Sequence, residues 1–190
     1  MWGPIPRGHR GAAYEHSTRF TSREPGKPVS QSLARLTVRP ICTSDKSALS
    51  DLFDRLSPRS RHHRFLGPKK MLSSRDLQRL TEIDHVKSEA LALVAADGRF
   101  IAVARYGPVD SDPNAAEVAL TVVDEWQGRG IGSAMASLLI GKARRSGVTR
   151  LQAMTLAGND PVRRLLRRLG FTVTSVERDV MSFEMQLVEP

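Results

Sequence analysis

The sequence predicts an α/β (α+β) domain: a mixed, mostly antiparallel central sheet of six to seven strands flanked by helices. Three observations predict it. Beyond residue 34 the apolar residues alternate between a period of two and a helical period. Clusters of Gly, Pro, Asn and Asp separate these segments as turns do. Finally, 190 residues with 40% hydrophobic and 26% charged side chains make a globular chain able to bury its own core.

Residues 1–33 are rich in Gly, Pro, Ser, Thr and Arg without an apolar period, so they are expected to form a disordered basic extension to a domain spanning 34–190. Residues 34–41 alternate as a strand. Ser44 and Asp45 then start a helix with Ala48, Leu49, Leu52, Phe53 and Leu56 on one face. Residues 57–64 read as a basic helix or turn, and 73–80 as a short helix. Strands at 90–96 and 100–106 flank an Asp97-Gly98 hairpin turn. Two Pro, two Asp, Ser and Asn make 107–114 a loop, and 116–123 is a strand apolar on both faces, as a central one would be. A helix over 130–146 ends at Gly147, a strand covers 150–155, and a helix over 160–169 ends at Gly170. Strands at 171–176 and 180–187 complete the order.

Composition narrows the function classes. No run approaches the roughly 18 to 20 apolar residues of a membrane span, and the first ten residues lack the apolar stretch of a secretory signal. The single cysteine, Cys42, allows no intrachain disulfide and argues for a reducing, cytoplasmic setting. Nothing near it in sequence would activate it as a catalytic thiol. A net charge of +9 fits a nucleic acid, an acidic protein surface or a polyanionic ligand. Aromatics at 5% and the absence of a reading motif argue against nucleic acid. His62, His63 and His85 lack companions at metal-ligand spacing, so no metal is expected.

The chemistry concentrates in residues 122–132, Val-Val-Asp-Glu-Trp-Gln-Gly-Arg-Gly-Ile-Gly, where a central strand enters a glycine-rich turn that opens a helix. Unpaired N–H groups at a helix start, with the positive end of its dipole, form an anion site, and Arg129 adds charge. A diphosphate suits it. No Lys-Ser or Lys-Thr follows the glycines, so a Walker loop is excluded, and the glycine spacing is not that of a dinucleotide fold. Taken alone, Gln-x-x-Gly-x-Gly fits either an anion cradle or a purely structural turn.

This segment resembles the acyl-CoA signature of the GNAT superfamily of N-acetyltransferases. Asn159-Asp160-Pro161-Val162, before a helix ending in Leu169-Gly170-Phe171, resembles the superfamily's Asn-led helix. Residues 34–41 with the Ser44-Asp45 helix start resemble its first strand and helix. Together the resemblance covers about 34–187 and implies a GNAT fold. A narrower likeness runs through Ser57-x-x-Ser60-x-x-x-Arg64-Phe65 and Ile83-Asp84, which resemble the GNAT domain of Pat-type protein lysine acetyltransferases. Members of that group often carry an acyl-CoA synthetase-like or cyclic-nucleotide-binding module, for which the 33-residue extension leaves no room.

The resemblance implies acetyl-CoA as cosubstrate, no metal, and a protein lysine as acceptor. It implies that Gln127, Gly128, Arg129, Gly130, Ile131, Gly132 and Ser133 hold the diphosphate and that Asn159 bonds the pantetheine arm. The backbone of Val122 and Val123 would pair with that arm as an added strand and polarise the thioester carbonyl. Glu117 is the expected general base: it is an isolated acid in an apolar strand, where burial would make it titrate high, and it matches the family's base. Many GNAT enzymes place a tyrosine in the last helix to protonate the leaving thiolate, where this chain has Leu166. Arg163, Arg164, Arg167 and Arg168, with Lys142, Arg144 and Arg145, either attract the cofactor's 3′-phosphate or form a solvated face. Competing readings are a GNAT acting on a small amine and a non-catalytic acyl-CoA-sensing module, which would have lost its base.

Overall fold

A computed structural model describes residues 36–109 and 112–187, with only the backbone of Pro113. The expected disordered extension over 1–33 lies outside the described residues.

Strand β1 (Thr37–Pro40) leads through a 3-10 turn (Thr43–Asp45) into helix α1 (Lys46–Asp54). Helices α2 (Pro58–Phe65) and α3 (Ser74–Thr81) follow, then strands β2 (Glu89–Val94), β3 (Phe100–Val109) and β4 (Asp112–Val122). After a 3-10 turn (Asp124–Trp126) come α4 (Ile131–Arg145), β5 (Arg150–Leu156), α5 (Asp160–Arg168), β6 (Thr172–Glu177) and β7 (Val180–Gln186). The seven strands form one sheet in the order β1-β2-β3-β4-β5-β7-β6. Every pairing is antiparallel except the parallel β4–β5. This is the mixed sheet the sequence predicts.

The loop expected over 107–114 is largely strand. Pro108 and Ala116 are partners, and the register slips between Pro108 and Val109. Prolines cost a ladder donor, yet strands accept them near an irregular hairpin end. A β-bulge there lets β3 and β4 run longer than their composition indicates.

Each face of the sheet has its own helical cover. Ala102, Ala104 and Tyr106 are buried on the side where α4 packs, with Met135, Leu139 and Ala143 of that helix in the same core. The Tyr106 hydroxyl donates to Ser146 Oγ at the end of α4, 3.1 Å away. On the other side α1, α2 and α3 form a layer whose Leu49, Leu52, Phe53 and Leu56 are buried. Burying each such apolar side chain contributes about 1.5–3 kcal/mol before entropic costs.

Two residues considered above as ligand contacts have structural jobs. His85 sets Nδ1 2.6 Å from Glu89 Oε1 and Nε2 3.0 Å from the Ile41 carbonyl, fastening the segment before β2. Lys142, a candidate for a cofactor phosphate, instead donates at 2.6 Å to the buried carboxylate of Glu89. A buried carboxylate needs such a partner, so that charge is spoken for. Among the described residues no cluster of His, Cys, Asp and Glu could hold a metal, and no helix is long and apolar enough to cross a membrane.

Candidate active site

The site begins where β4 and β5 part. Their pairing runs only from Ala115–Arg150 to Glu117–Gln152, although β4 continues to Val122 and β5 to Leu156. Past Glu117 the strands have no shared ladder, and β4 keeps β3 alone.

Register shows which backbone groups face the gap. The N–H of Val123 donates to the Ile101 carbonyl at 3.0 Å. In an antiparallel pair, bonded and unbonded residues alternate, so Val123, Thr121 and Ala119 turn toward β3. Leu120 and Val122 turn the other way, into the gap. The Val122 carbonyl accepts from Gln127 Nε2 at 3.0 Å, leaving its N–H and both groups of Leu120 facing the opening. Val123, named above with Val122, has its carbonyl engaged too, accepting from Trp126 N at 2.9 Å. The free edge is therefore shifted from Val122–Val123 to Leu120 and Val122.

The glycine-rich turn sits at the end of this edge. Gly128 and Gly130 adopt positive φ of 73° and 79°, a region most side chains avoid. That geometry turns the chain sharply into α4. The helix has no side-chain cap and no acid in its first turn, and its first intrahelical bond runs from Ala134 N to the Gly130 carbonyl. The N–H groups of Ile131, Gly132 and Ser133 thus point outward without partners among the described residues. Ile131 is buried and offers only its backbone. Gly132 has a packing reason: a Cβ there would lie 3.3 Å from Leu120 Cδ2 and 3.6 Å from Leu165 Cδ2. Arg129 is exposed, with its guanidinium 5.0 Å from the Trp126 ring centre. Gln127 is braced by its bond to Val122 and by a 3.3 Å contact to Ser60 Oγ.

Two polar side chains without a hydrogen-bond partner lie on the segments that follow this parting. Asn159 precedes α5 and is 7% exposed, yet its side chain neither caps the helix nor bonds another described residue. Thr155, on the stretch of β5 that leaves β4, buries a hydroxyl with no partner. Buried polar groups are nearly always paired, and among the described residues the Thr155 hydroxyl shares its unpaired state only with Arg150 Nε and Arg163 Nε.

Glu117 stands at the last β4–β5 pair, opposite Gly107 on β3. It is exposed, so the burial anticipated from its apolar neighbours is absent. On this face α1 packs on β3 and α2 on β4 and β5, and the Glu117 side chain is left outside that cover. No Lys, Arg or His nitrogen lies within 4.0 Å of it among the described residues. Its charge nevertheless stabilises the cations of Arg64 and Arg105. Those two arginines line a pocket with Phe53, Phe65, Leu80 and Ala119, enclosing about 440 Å³ with its open mouth included.

Sequence reasoning did not single out Arg105, although the signal was that of Glu117: one charge in the apolar run Phe-Ile-Ala-Val-Ala-Arg-Tyr. It also missed Asp124. That carboxylate accepts from the Ser57 hydroxyl and the Ser60 hydroxyl, each at 2.8 Å, and from Ser57 N at 3.0 Å. Burial pushes its titration up, but these donors outweigh burial and hold it below the usual range.

Comparison with known proteins shows the family. The sequence model of the acetyltransferase (GNAT) family matches residues 51–171. An acetyltransferase of Pseudomonas aeruginosa is 36% identical over 137 residues, 70% of this chain and 73% of that protein. Acetyltransferase Pat of Mycolicibacterium smegmatis is 42% identical over 101 residues, 50% of this chain but only 28% of that much longer protein. The crystal structure of the GNAT domain of S. lividans PAT superposes with a TM-score of 0.75 at 33% identity, covering 80% of this chain and 90% of that one. A Salmonella typhimurium acetyltransferase solved with its cofactor acetyl-CoA shares the fold, with a TM-score of 0.67 at 23% identity over 82% of this chain and 95% of that one. The chain belongs to the acetyltransferase (GNAT) family.

Proposed function

We propose that the protein moves an acetyl group from acetyl-CoA to a protein lysine ε-amino group, with Glu117 as the general base. The observation that carries this reading is the position of Glu117 at the last rung before β4 and β5 separate. An amine held by its carboxylate would meet a thioester lying along the free edge of β4. The lysine acceptor draws further support from the likeness to Acetyltransferase Pat and to the GNAT domain of S. lividans PAT.

Each part of the cosubstrate has a fitting surface. The outward N–H groups at the start of α4, with Arg129, suit a diphosphate. The Leu120 and Val122 edge suits the amides of a pantetheine arm, which would extend the sheet as an added strand. Asn159 offers that arm an unpaired amide.

Chemically, a lysine amine with a pKa of about 10.4 arrives protonated and must lose a proton to attack. Glu117, exposed and unpaired, accepts it directly or through one water. The amine nitrogen bonds the thioester carbonyl carbon, an N–H on the free edge of β4 stabilises the oxyanion, and the carbon–sulfur bond breaks. Coenzyme A leaves as thiolate, tolerable for a thiol pKa near 8.5. Leu166 supplies no acid: it is 7% exposed and packs in the core.

A second reading rests on the pocket beside Glu117. Its walls are largely apolar, as those of small-ligand sites are, and its mouth is open to solvent. Acetyl-CoA turnover with a panel of lysine-containing proteins and of free small amines separates the two. Turnover with protein lysines supports the first reading, and turnover with small amines alone supports the second.

A further inference from the structure

We propose that Arg64 and Arg105 form a carboxylate-binding subsite beside Glu117, selecting acceptor lysines that have an acidic residue close by in sequence. This rests on the lysine-acetyltransferase reading above and adds a substrate preference to it.

The two arginines stand apart from the other partly buried ones. Arg55, Arg61, Arg150 and Arg163 each have a carboxylate within 4.0 Å. Arg64 and Arg105 have none among the described residues. Arg64 makes no hydrogen bond there and lies 5.1 Å from the Phe65 ring centre. Arg105 has one long contact, 3.4 Å to the Arg79 carbonyl. Each guanidinium carries five N–H donors in a planar fork, and nearly all of these are unused.

Their setting is partly buried and largely apolar. Both line a pocket whose remaining walls are leucines, phenylalanines, Val103, Ala119 and Thr121. Burial, with repulsion from Arg105, pushes the Arg64 guanidinium down to about 10 despite the pull of Glu117. Burial and Arg79 act on Arg105 in the same direction. Two partly buried cations without a counter-ion within 4.0 Å are stabilised by an incoming anion, and a fork of N–H donors fits a carboxylate best.

Placement indicates how the anion reaches the site. Arg105 and Glu117 are diagonal neighbours on one face of the β3–β4 pair, since Arg105 faces Ala119 and Gly107 faces Glu117. Such neighbours are roughly 7–8 Å apart. A lysine amine at Glu117 would therefore leave a carboxylate one or two residues away near the arginines. The net charge of +9 favours acidic surfaces in the same sense.

The test compares acetyl-CoA-dependent acetylation of matched lysine peptides, with Asp or Glu flanking the lysine or with Asn or Gln in their place. The wild-type protein is expected to show kcat/KM at least about tenfold higher for the acidic peptides. In Arg105→Gln and Arg64→Gln the ratio should fall toward one while acetyl-CoA binding by calorimetry persists, and Arg105→Lys should keep part of it. A wild-type ratio near one overturns the subsite while leaving lysine acetylation standing, and needs no variant to fold. If peptides fail but small amino acids react and their reaction needs both arginines, the carboxylate subsite stands and the lysine reading falls. If a succinyl thioester with an amide-flanked peptide supplies the arginine-dependent gain, the carboxylate belongs to the donor and the acceptor assignment is overturned.

Discussion

Ser60 Oγ donates a 2.8 Å hydrogen bond to Asp124 Oδ1, tying α2 to the 3-10 turn that precedes the glycine-rich turn. Ser57 binds the same carboxylate through its hydroxyl and its N–H while also capping α2. Both serines of the Ser-x-x-Ser block thus converge on one acid about 65 residues away in sequence. Asp124→Ala should lower stability by about 1–3 kcal/mol, read by chemical denaturation. Because Gln127 braces both Ser60 and Val122, acetyl-CoA KM should also rise several-fold. A variant with altered stability and unchanged KM would show that the clamp does not position the cofactor turn.

Asn159 separates binding from capping. A side-chain cap is lost at a cost of about 1 kcal/mol when replaced by alanine, but this side chain caps nothing. Asn159→Ala is therefore expected to shift the thermal midpoint little and to weaken acetyl-CoA binding about tenfold, measured by calorimetry. A large loss of stability with normal binding would assign the residue to the fold alone.

Asp45 gives a pH signature. The Arg39 guanidinium, bonded at 2.7 and 2.8 Å, and the donors of Cys42 hold its carboxyl down to about 2, against the opposing effect of burial. A depressed carboxylate contributes stability above its unfolded pKa near 3.9, and that contribution is lost as pH falls from there through about 2. With Arg39 itself 40% exposed, the contribution is discounted to about 1–2 kcal/mol. Asp45→Asn should remove that amount at pH 7 and flatten acid destabilisation over this window, as followed by urea midpoints from pH 6 to 2.

Much of this was legible in the sequence because local periodicity reports local burial. The helices starting at Lys46, Ile131 and Asp160 fall where apolar spacing put them, and the strands likewise except for the proline-bearing β3–β4 hairpin. The glycine-rich turn between strand and helix was legible too, and Gly128 and Gly130 take the positive φ that their residue type allows. What escaped were relationships between distant segments. That Lys142 neutralises Glu89, or that Asp124 collects two serine hydroxyls, depends on packing that no window of sequence contains. The exposure of Glu117 escaped for the same reason, because an apolar strand does not disclose where its covering helices stop. The edge facing the gap also moved by register alone, from Val122 and Val123 to Leu120 and Val122.

The role of Glu117 is decided by steady-state acetyl transfer in Glu117→Gln, with acetyl-CoA affinity measured on the same preparation. Loss of a general base should lower kcat by about 10²–10⁴ while the acetyl-CoA dissociation constant stays within about twofold. Wild-type kcat in that variant would contradict the assignment of Glu117 as the base on which the proposed mechanism rests.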